Sequence, residues 1–373
     1  MEEKFAIALS EKEEEAPKEV SLKIKSIFPK LIKYLLVFFT PHYQPLNILN
    51  TINFTLQPQM LVGMQSPLLI FEDRLVDRGI VACCINKPGF EFQKLFIKND
   101  EPQNVESSLR SSLKKYSREN LFLFSLLSHQ FNISNYLRGV DLALGKTANI
   151  FGGGYIKKYF SKNYQIVNDS VEGGLINTVM QGLKFNLSKI SGFVPLGKPF
   201  IVTKTITKRG IIMEINGQPA INIYKHFLGE RFDTFIKNYL FTLYPFGIKV
   251  GDNIHLVSIV ECLQDGSLAC IGEVKENSQA HIMLLNHSLL MESLKNMLRG
   301  VKENGDDLIF IINSLTRKKI LKDHAAEEIA FIKETLGEKI KIFGTYCDYS
   351  LFPNRETCEI EVGSDNLIMA GLK

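Results

Sequence analysis

Three stretches of this chain repeat one pattern: an apolar strand, a helix, a second apolar strand ending near glycine, a loop, and a further strand. The first runs from Lys33–Phe39 through Leu61–Met64 to Gly79–Ile85. The second runs from Leu121–Phe124 through Ile150–Gly154 to Gly174–Met180. The third runs from Leu308–Ile312 through Ile342–Tyr346 to Cys358–Val362. A strand–helix–strand crossover makes its two strands parallel and brings both ends to one edge of the sheet, where open α/β sheets hold ligands. The recurrence therefore predicts where to look for a site before any motif is named.

The remaining chain supplies more strands and helices. Phe5–Leu9 reads as a first strand, and Pro17–Phe28 as a helix with Val20, Ile24, Ile27 and Phe28 on one face. Pro45 can open the first crossover helix, and Gly145 closes the second after Leu144. Phe90–Ile97 alternates as a strand, and Tyr164–Val167 with Gly174–Met180 reads as a strand pair. From Gly192 the texture changes to hairpins, with turns at Asn216-Gly217 and Asp265-Gly266 and a helix that Pro219 can start. Asp323 is placed to cap the third crossover helix, with Glu327 and Glu328 in its first turns. This order predicts a mixed α/β (α+β) protein of two packed halves, 1–217 and 218–373, each a mixed β-sheet covered by helices.

Composition removes several classes. With 373 residues and 45% hydrophobic content, the chain can bury a core without disulfide or metal staples. A net charge of +4, with both signs interspersed, offers no nucleic-acid surface. The longest apolar run, Tyr34–Phe39, is too short to span a bilayer, and Met1-Glu2-Glu3-Lys4 does not read as a signal peptide. Six cysteines (Cys83, Cys84, Cys262, Cys270, Cys347, Cys358) form no CxxC pair and mostly sit in apolar strands, which suits reduced thiols in a cytoplasmic protein.

Motifs for cofactors are missing or imperfect. Gly145-Lys146-Thr147 closes a helical pattern, where a phosphate-binding loop opens one. Gly152-Gly153-Gly154 is not a dinucleotide fingerprint, and the seven histidines show no zinc-ligand spacing, so no cofactor and no metal are expected. Cys347, at a predicted strand end beside a loop, is the one cysteine placed as a nucleophile, although no base accompanies it.

Phe200-Ile201-Val202-Thr203, then Glu214-Ile215-Asn216-Gly217-Gln218-Pro219-Ala220, Tyr224 and Leu228-Gly229, resemble the junction between the two halves of FIST proteins, where "FxVT" precedes "ELDGxPALDxYxxxLG". Tyr244–Ile248 is similar to that family's "hPLGV", and Asp265–Leu268 with Gly272-Glu273-Val274 to its "DGSLxFxGDV". Phe151–Gly154 resembles its N-terminal half, and Asp323–Leu336 with Gly344-Thr345-Tyr346 its C-terminal end, so the likeness covers nearly the whole chain in order. It implies a sensory, signal-transduction protein for a small ligand, amino-acid-like, with a signalling protein as a further partner. The family's "SCxGR" becomes Asn313-Ser314-Leu315-Thr316-Arg317, its "TYGE" becomes Thr345-Tyr346-Cys347-Asp348, and its "HNxT" becomes Pro353-Asn354-Arg355-Glu356-Thr357. Its "GCST" segment becomes Gly63-Met64-Gln65-Ser66.

These positions set the expected site. Asn313 and Arg317 follow one strand of the third unit, Tyr346, Cys347 and Asp348 end its parallel partner, and Asn354 lies in the next loop. Arg317 could hold a ligand carboxylate by two parallel hydrogen bonds, and Asp348 could accept from an ammonium group. Gly152 and Gly153 would offer close backbone approach from the second unit. The alternatives are a protein-interaction scaffold with a vestigial pocket, and an enzyme using Cys347.

Overall fold

The computed structural model describes residues 3–98, 107–108, 110, 121–128, 133–145, 149–156, 164–237, 240–251, 253–354 and 359–373. Each repeated unit builds the centre of one six-stranded sheet. In the first sheet Tyr34–Phe39 and Met60–Gln65 are parallel and joined by the helix Pro45–Leu56. Ile80–Ile85 pairs antiparallel beside Tyr34–Phe39, and Phe5–Ser10 forms the outer edge. The second sheet repeats this with Phe122–Leu127, Asn149–Gly154, Gly174–Gln181 and Glu91–Lys98. The third repeats it with Leu308–Ser314, Lys341–Cys347, Leu367–Leu372 and Phe185–Ile190.

Each sheet is completed by a hairpin from another unit. Leu69–Phe71 and Arg74–Val76, from the first unit, pair with Lys341–Cys347 of the third sheet. Gln165–Val167 and Ser170–Glu172, from the second, pair with Met60–Gln65 of the first sheet. Tyr349–Asn354 and Glu359–Gly363, from the third, pair with Asn149–Gly154 of the second sheet. This cyclic exchange corrects two readings of the sequence. Tyr164–Val167 and Gly174–Met180 are not partners, because the first segment crosses to the neighbouring sheet. The third unit's counterpart of Ile80–Ile85 is Leu367–Leu372, and Glu359–Gly363 belongs instead to the exchanged hairpin.

The glycine at the end of each second strand has one physical cause. Gly63, Gly152 and Gly344 hold the same register position in the three sheets, opposite Val37, Ser125 and Ile311. A Cβ there would come within 2.8, 2.1 and 2.2 Å of the carbonyl oxygens of Val37, Ser125 and Ile311 respectively. At these positions the backbone of the neighbouring strand lies where a side chain would begin.

The central strands are buried on both faces, so successive side chains enter different cores. Phe38, Phe124, Phe151, Phe310 and Phe343 face a common interior enclosed by the three sheets. Phe310 sits at its middle, 5.6 Å from Phe38, 5.5 Å from Phe124, 5.1 Å from Phe151 and 4.5 Å from Phe343 by ring centroids. Alternate residues face outward to helices. Ala16–Ile27 and Pro45–Leu56 cover the first sheet, Ile133–Leu144 the second, and His287–Asn304 with His324–Leu336 the third. Asp323 precedes the last of these helices, but its side chain makes no capping bond.

Between Phe185–Ile190 and His287–Asn304 the chain inserts a fourth, curled sheet of eight strands around its own core of Phe200, Tyr224, Phe235, Phe241 and Phe246. The turn Asn216-Gly217, with positive φ of 52° and 73°, joins Ile211–Ile215 to Gln218–Pro219 inside this sheet. Pro219 is thus strand, and the following helix starts at Asn222. Asp265-Gly266 turns as expected, but it joins only Ile259–Cys262 to Leu268–Cys270. Asn253–Val257 belongs to the other end of the curled sheet. Lys146, Thr147 and Cys358 lie outside the described residues.

Candidate functional site

The pleat of two strands decides which expected site residues meet. Tyr346 and Cys347 are neighbours at the end of Lys341–Cys347, so their side chains leave opposite faces of the third sheet. Tyr346 joins the helix-side core and Cys347 the common interior. Asn313 leaves the same face as Tyr346 and donates to its hydroxyl at 3.1 Å. Ser314 caps the short helix Leu315–Leu321, accepting from the backbone N–H groups of Thr316 and Arg317, and this fixes Arg317 in the first turn.

Arg317 is fully buried, at 0% exposure. Its Nη2 forms an ion pair with Glu328, its Nε donates to Asn313 Oδ1 at 3.1 Å, and its Nη1 donates to the Ser191 carbonyl at 2.7 Å. Asn313 Nδ2 also donates to Glu328 Oε2 at 3.0 Å. The carboxylate that Arg317 holds is therefore the protein's own. Asn313, Arg317 and Tyr346 come together as expected, but with Glu328 at their centre and at a depth that reaches no solvent. Glu328 lies among the apolar positions Ala325, Ile329 and Ile332 of its helix, and that misplaced acid was the available sequence signal.

The other expected residues sit elsewhere. Cys347 is buried, and burial pushes its thiol well above the usual value, with the nearby Asp348 charge adding to the rise. Asp348 leads directly into Tyr349–Asn354, and its Oδ2 accepts from the Ile156 N–H at 2.8 Å. Gly152 and Gly153 do provide close approach, but to the protein itself: a Cβ on Gly153 would lie 2.8 Å from the Tyr349 carbonyl oxygen and 3.0 Å from Cys347 Sγ.

Asn354 opens onto a cleft of about 390 Å³ between Phe185–Ile190 of the third sheet, the hairpin of Tyr349–Asn354 and Glu359–Gly363, and Asn253–Val257 of the curled sheet. Glu361, with 9% of its side chain exposed, is its focus. Lys189 Nζ lies 2.5 Å from Glu361 Oε2 and 5.8 Å from the centroid of the Phe352 ring. His255 Nδ1 is 4.0 Å from the same carboxylate oxygen, and Asn354 Nδ2 donates to it at 3.4 Å. His255 Nε2 is buried and, among the described residues, has no hydrogen-bond partner. Lys189, His255 and Glu361 were not singled out from the sequence, because their separations in the chain carry no motif.

A buried polar chain connects this cleft to Arg317. Asn366 donates to Glu361 Oε1 at 3.5 Å and follows Asp365 in the turn before Leu367–Leu372. Asp365 accepts from the Ser258 hydroxyl, which accepts from Ser364, and the Ser364 carbonyl accepts from Ser314. Burial pushes the Asp365 carboxyl up to about 7, against the opposing effects of the Ser258 hydrogen bond and the Arg317 charge. The chain ties the corner of the curled sheet, at Ser258, to the third sheet.

This fold is a mixed α/β architecture with sheets shared among repeated units, carrying an enclosed polar network and one polar cleft. Residues 33–218 match the FIST N domain and residues 220–348 the FIST C domain. The chain belongs to the FIST family, whose domains are sensory and signal-transduction domains. No curated protein matches the sequence. Among solved structures, the cyanuric acid hydrolase from A. caulinodans aligns over 99% of each chain at 8% identity with a TM-score of 0.40, a likeness too distant to bear on this chain's chemistry. Among the described residues no helix is long and apolar enough to cross a membrane.

Proposed function

We propose that this protein is a cytoplasmic sensory protein that binds a small, amino-acid-like ligand in the cleft of Lys189, His255, Asn354 and Glu361, and that it acts by binding rather than by catalysis. One observation carries the reading: a mostly buried carboxylate faces an ammonium and an imidazole across an accessible cleft. A zwitterion's ammonium group can take Glu361, while its carboxylate takes Lys189 and an N–H of His255, with Phe352 as an apolar wall. The binding reading is also supported by Cys347, whose burial and raised thiol pKa are the reverse of what a thiolate nucleophile needs.

Thermal shift against free amino acids and related metabolites tests this. Ligand at a hundred times its dissociation constant adds about 2.7 kcal/mol. With an unfolding entropy of about 2 cal/mol/K per residue, that is a rise of about 3 °C for a chain of this length. Glu361→Gln and Lys189→Met should each abolish the rise. A flat response across the panel, or a rise that survives both substitutions, defeats the proposal. The scaffold reading draws on a different observation: Asn313, Arg317 and Tyr346 are fully engaged with Glu328 and one another, so the expected strand-edge pocket is filled.

A further inference from the structure

At two seams between the sheets, the outermost strand of one sheet lines a cleft with the exchanged hairpin of another. The cleft of Glu361 is one seam, and an extended segment of the chain itself, Asn253–Ile254–His255, walls it. The seam between the first and third sheets has the same frame. By register, Leu187 and Lys189 correspond to Ile7 and Leu9. Phe352 and Glu361 correspond to Phe71 and Arg74. An ion pair crosses both seams, Lys189 with Glu361 in one and Glu11 with Arg74 at 2.9 Å in the other. Among the described residues no inserted strand lines the second seam, and its cleft is larger, about 650 Å³.

The backbone at this seam is set for pairing. Asn86 N donates to the Lys4 carbonyl at 2.8 Å, so by antiparallel alternation Ala6, Ala8 and Ser10 bond inward to Ile80–Ile85, and Phe5, Ile7 and Leu9 turn their N–H and C=O groups outward. Lys341 Nζ donates to the Phe5 carbonyl and Lys23 Nζ to the Leu9 carbonyl, each at 2.8 Å. Lysines on an edge restrain indiscriminate pairing. Between them the outward N–H and C=O of Ile7 have no partner among the described residues. The cleft's charged lining is Lys12, Lys23 and Arg74 against Glu11 and Glu19, an excess of one cation.

We propose that this seam docks an extended segment of a partner protein, which adds as a strand along Phe5–Ser10 and presents acidic side chains to Lys12, Lys23 and Arg74. The occupant follows from the equivalent seam, which the chain walls with an extended segment of its own, paired there with Phe246–Val250 and not with Phe185–Ile190, and from the excess positive charge. The proposal goes beyond the ligand reading and stands without it.

Two capped nonapeptides test it: one with the sequence of residues 249–257, and one in which its lysine and histidine are replaced by glutamate. The acidic peptide should bind more tightly by calorimetry and slow exchange of the Ile7 amide about tenfold or more. Ile7→Pro removes only an outward N–H, which an edge strand tolerates, and should weaken binding about tenfold or more, while Ile7→Val should not. If Ile7→Pro fails to fold by circular dichroism, Arg74→Glu reads the same surface and should weaken the acidic peptide selectively. The proposal is overturned if neither peptide binds at about 1 mM, a weak-binding limit. Binding indifferent to both Ile7→Pro and Arg74→Glu also overturns it, as does a dimer that Ile7→Pro dissociates, which would give the edge to a second copy of this chain.

Discussion

Arg317→Ala is the perturbation that separates a ligand-facing arginine from a structural one. In the fold it removes the cation from a fully buried pair and strands Glu328, which is 3% exposed, together with the Ser191 carbonyl. Breaking a buried pair from one side costs about 3–5 kcal/mol. Spread over an unfolding entropy of about 2 cal/mol/K per residue, that lowers the melting midpoint by about 5 °C. The partner test is Arg317→Met with Glu328→Leu, which removes both charges. Asn313 keeps its bonds to Tyr346 and to the Ser314 N–H, so most of the loss should return. Calorimetric melting with urea titration of the single and double variants reads both effects. If Arg317→Ala melts within about 1 °C of the parent, a shift typical of surface substitutions, the ion pair has been misjudged. If the same variant also loses its response to amino acids, the ligand belongs at Arg317 and the cleft is not its site.

Three further outcomes are expected. Asp365 titrates at about 7 in the fold and at its ordinary 3.8 when exposed, so the folded state holds its proton more tightly. Its contribution is favourable below the lower value and is lost as pH rises through about 7, so Asp365→Asn should gain up to about 4 kcal/mol relative to the parent at pH 8 and little at pH 4; equal effects at both pH values refute the linkage. Gly152→Ala and Gly344→Ala should both destabilise more than Gly63→Ala, because their Cβ atoms meet a carbonyl oxygen at 2.1 and 2.2 Å rather than 2.8 Å; chemical denaturation ranks them, and a reversed order counts against the register. Cys347, buried with its thiol pushed up, should react with iodoacetamide at pH 8 only on unfolding; rapid alkylation of the native protein would restore the nucleophile reading.

The sequence made the repeated units legible because each crossover has apolar strands of the right length and a helix with one apolar face. The glycines were legible as punctuation, but their cause, a carbonyl pressed against the Cα, needs the register of two strands. The hairpin exchange left no trace. Leu69–Phe71 and Gln165–Val167 are three residues long, and the sheet they join is decided by partners more than a hundred residues away. The same holds for the cleft, where Lys189, His255 and Glu361 meet only because hairpin exchange and insertion bring three sheets together. What the chain did disclose was the cluster of Asn313, Arg317 and Tyr346, whose spacing on a strand, a capped helix and a parallel partner fixes their approach.

That cluster changes meaning once Glu328 is added. The sequence places these positions at a strand edge, where Arg317 could hold a ligand's carboxylate. Here the next helix supplies the carboxylate, and the network continues through Ser314, Ser364 and Asp365 to Ser258 at the corner of the curled sheet. Arg317 also holds the Ser191 carbonyl, at the point where the chain leaves the third sheet for the insertion. The network therefore grips the curled sheet at two places, its entry and its corner. The cleft wall, Asn253–Val257, ends at that corner, and Glu361 reaches the same network through Asn366. A ligand that draws Glu361 away from Asn366 would act on the joint that positions the curled sheet. Under the proposed function, the residues expected to bind a ligand would instead transmit its arrival.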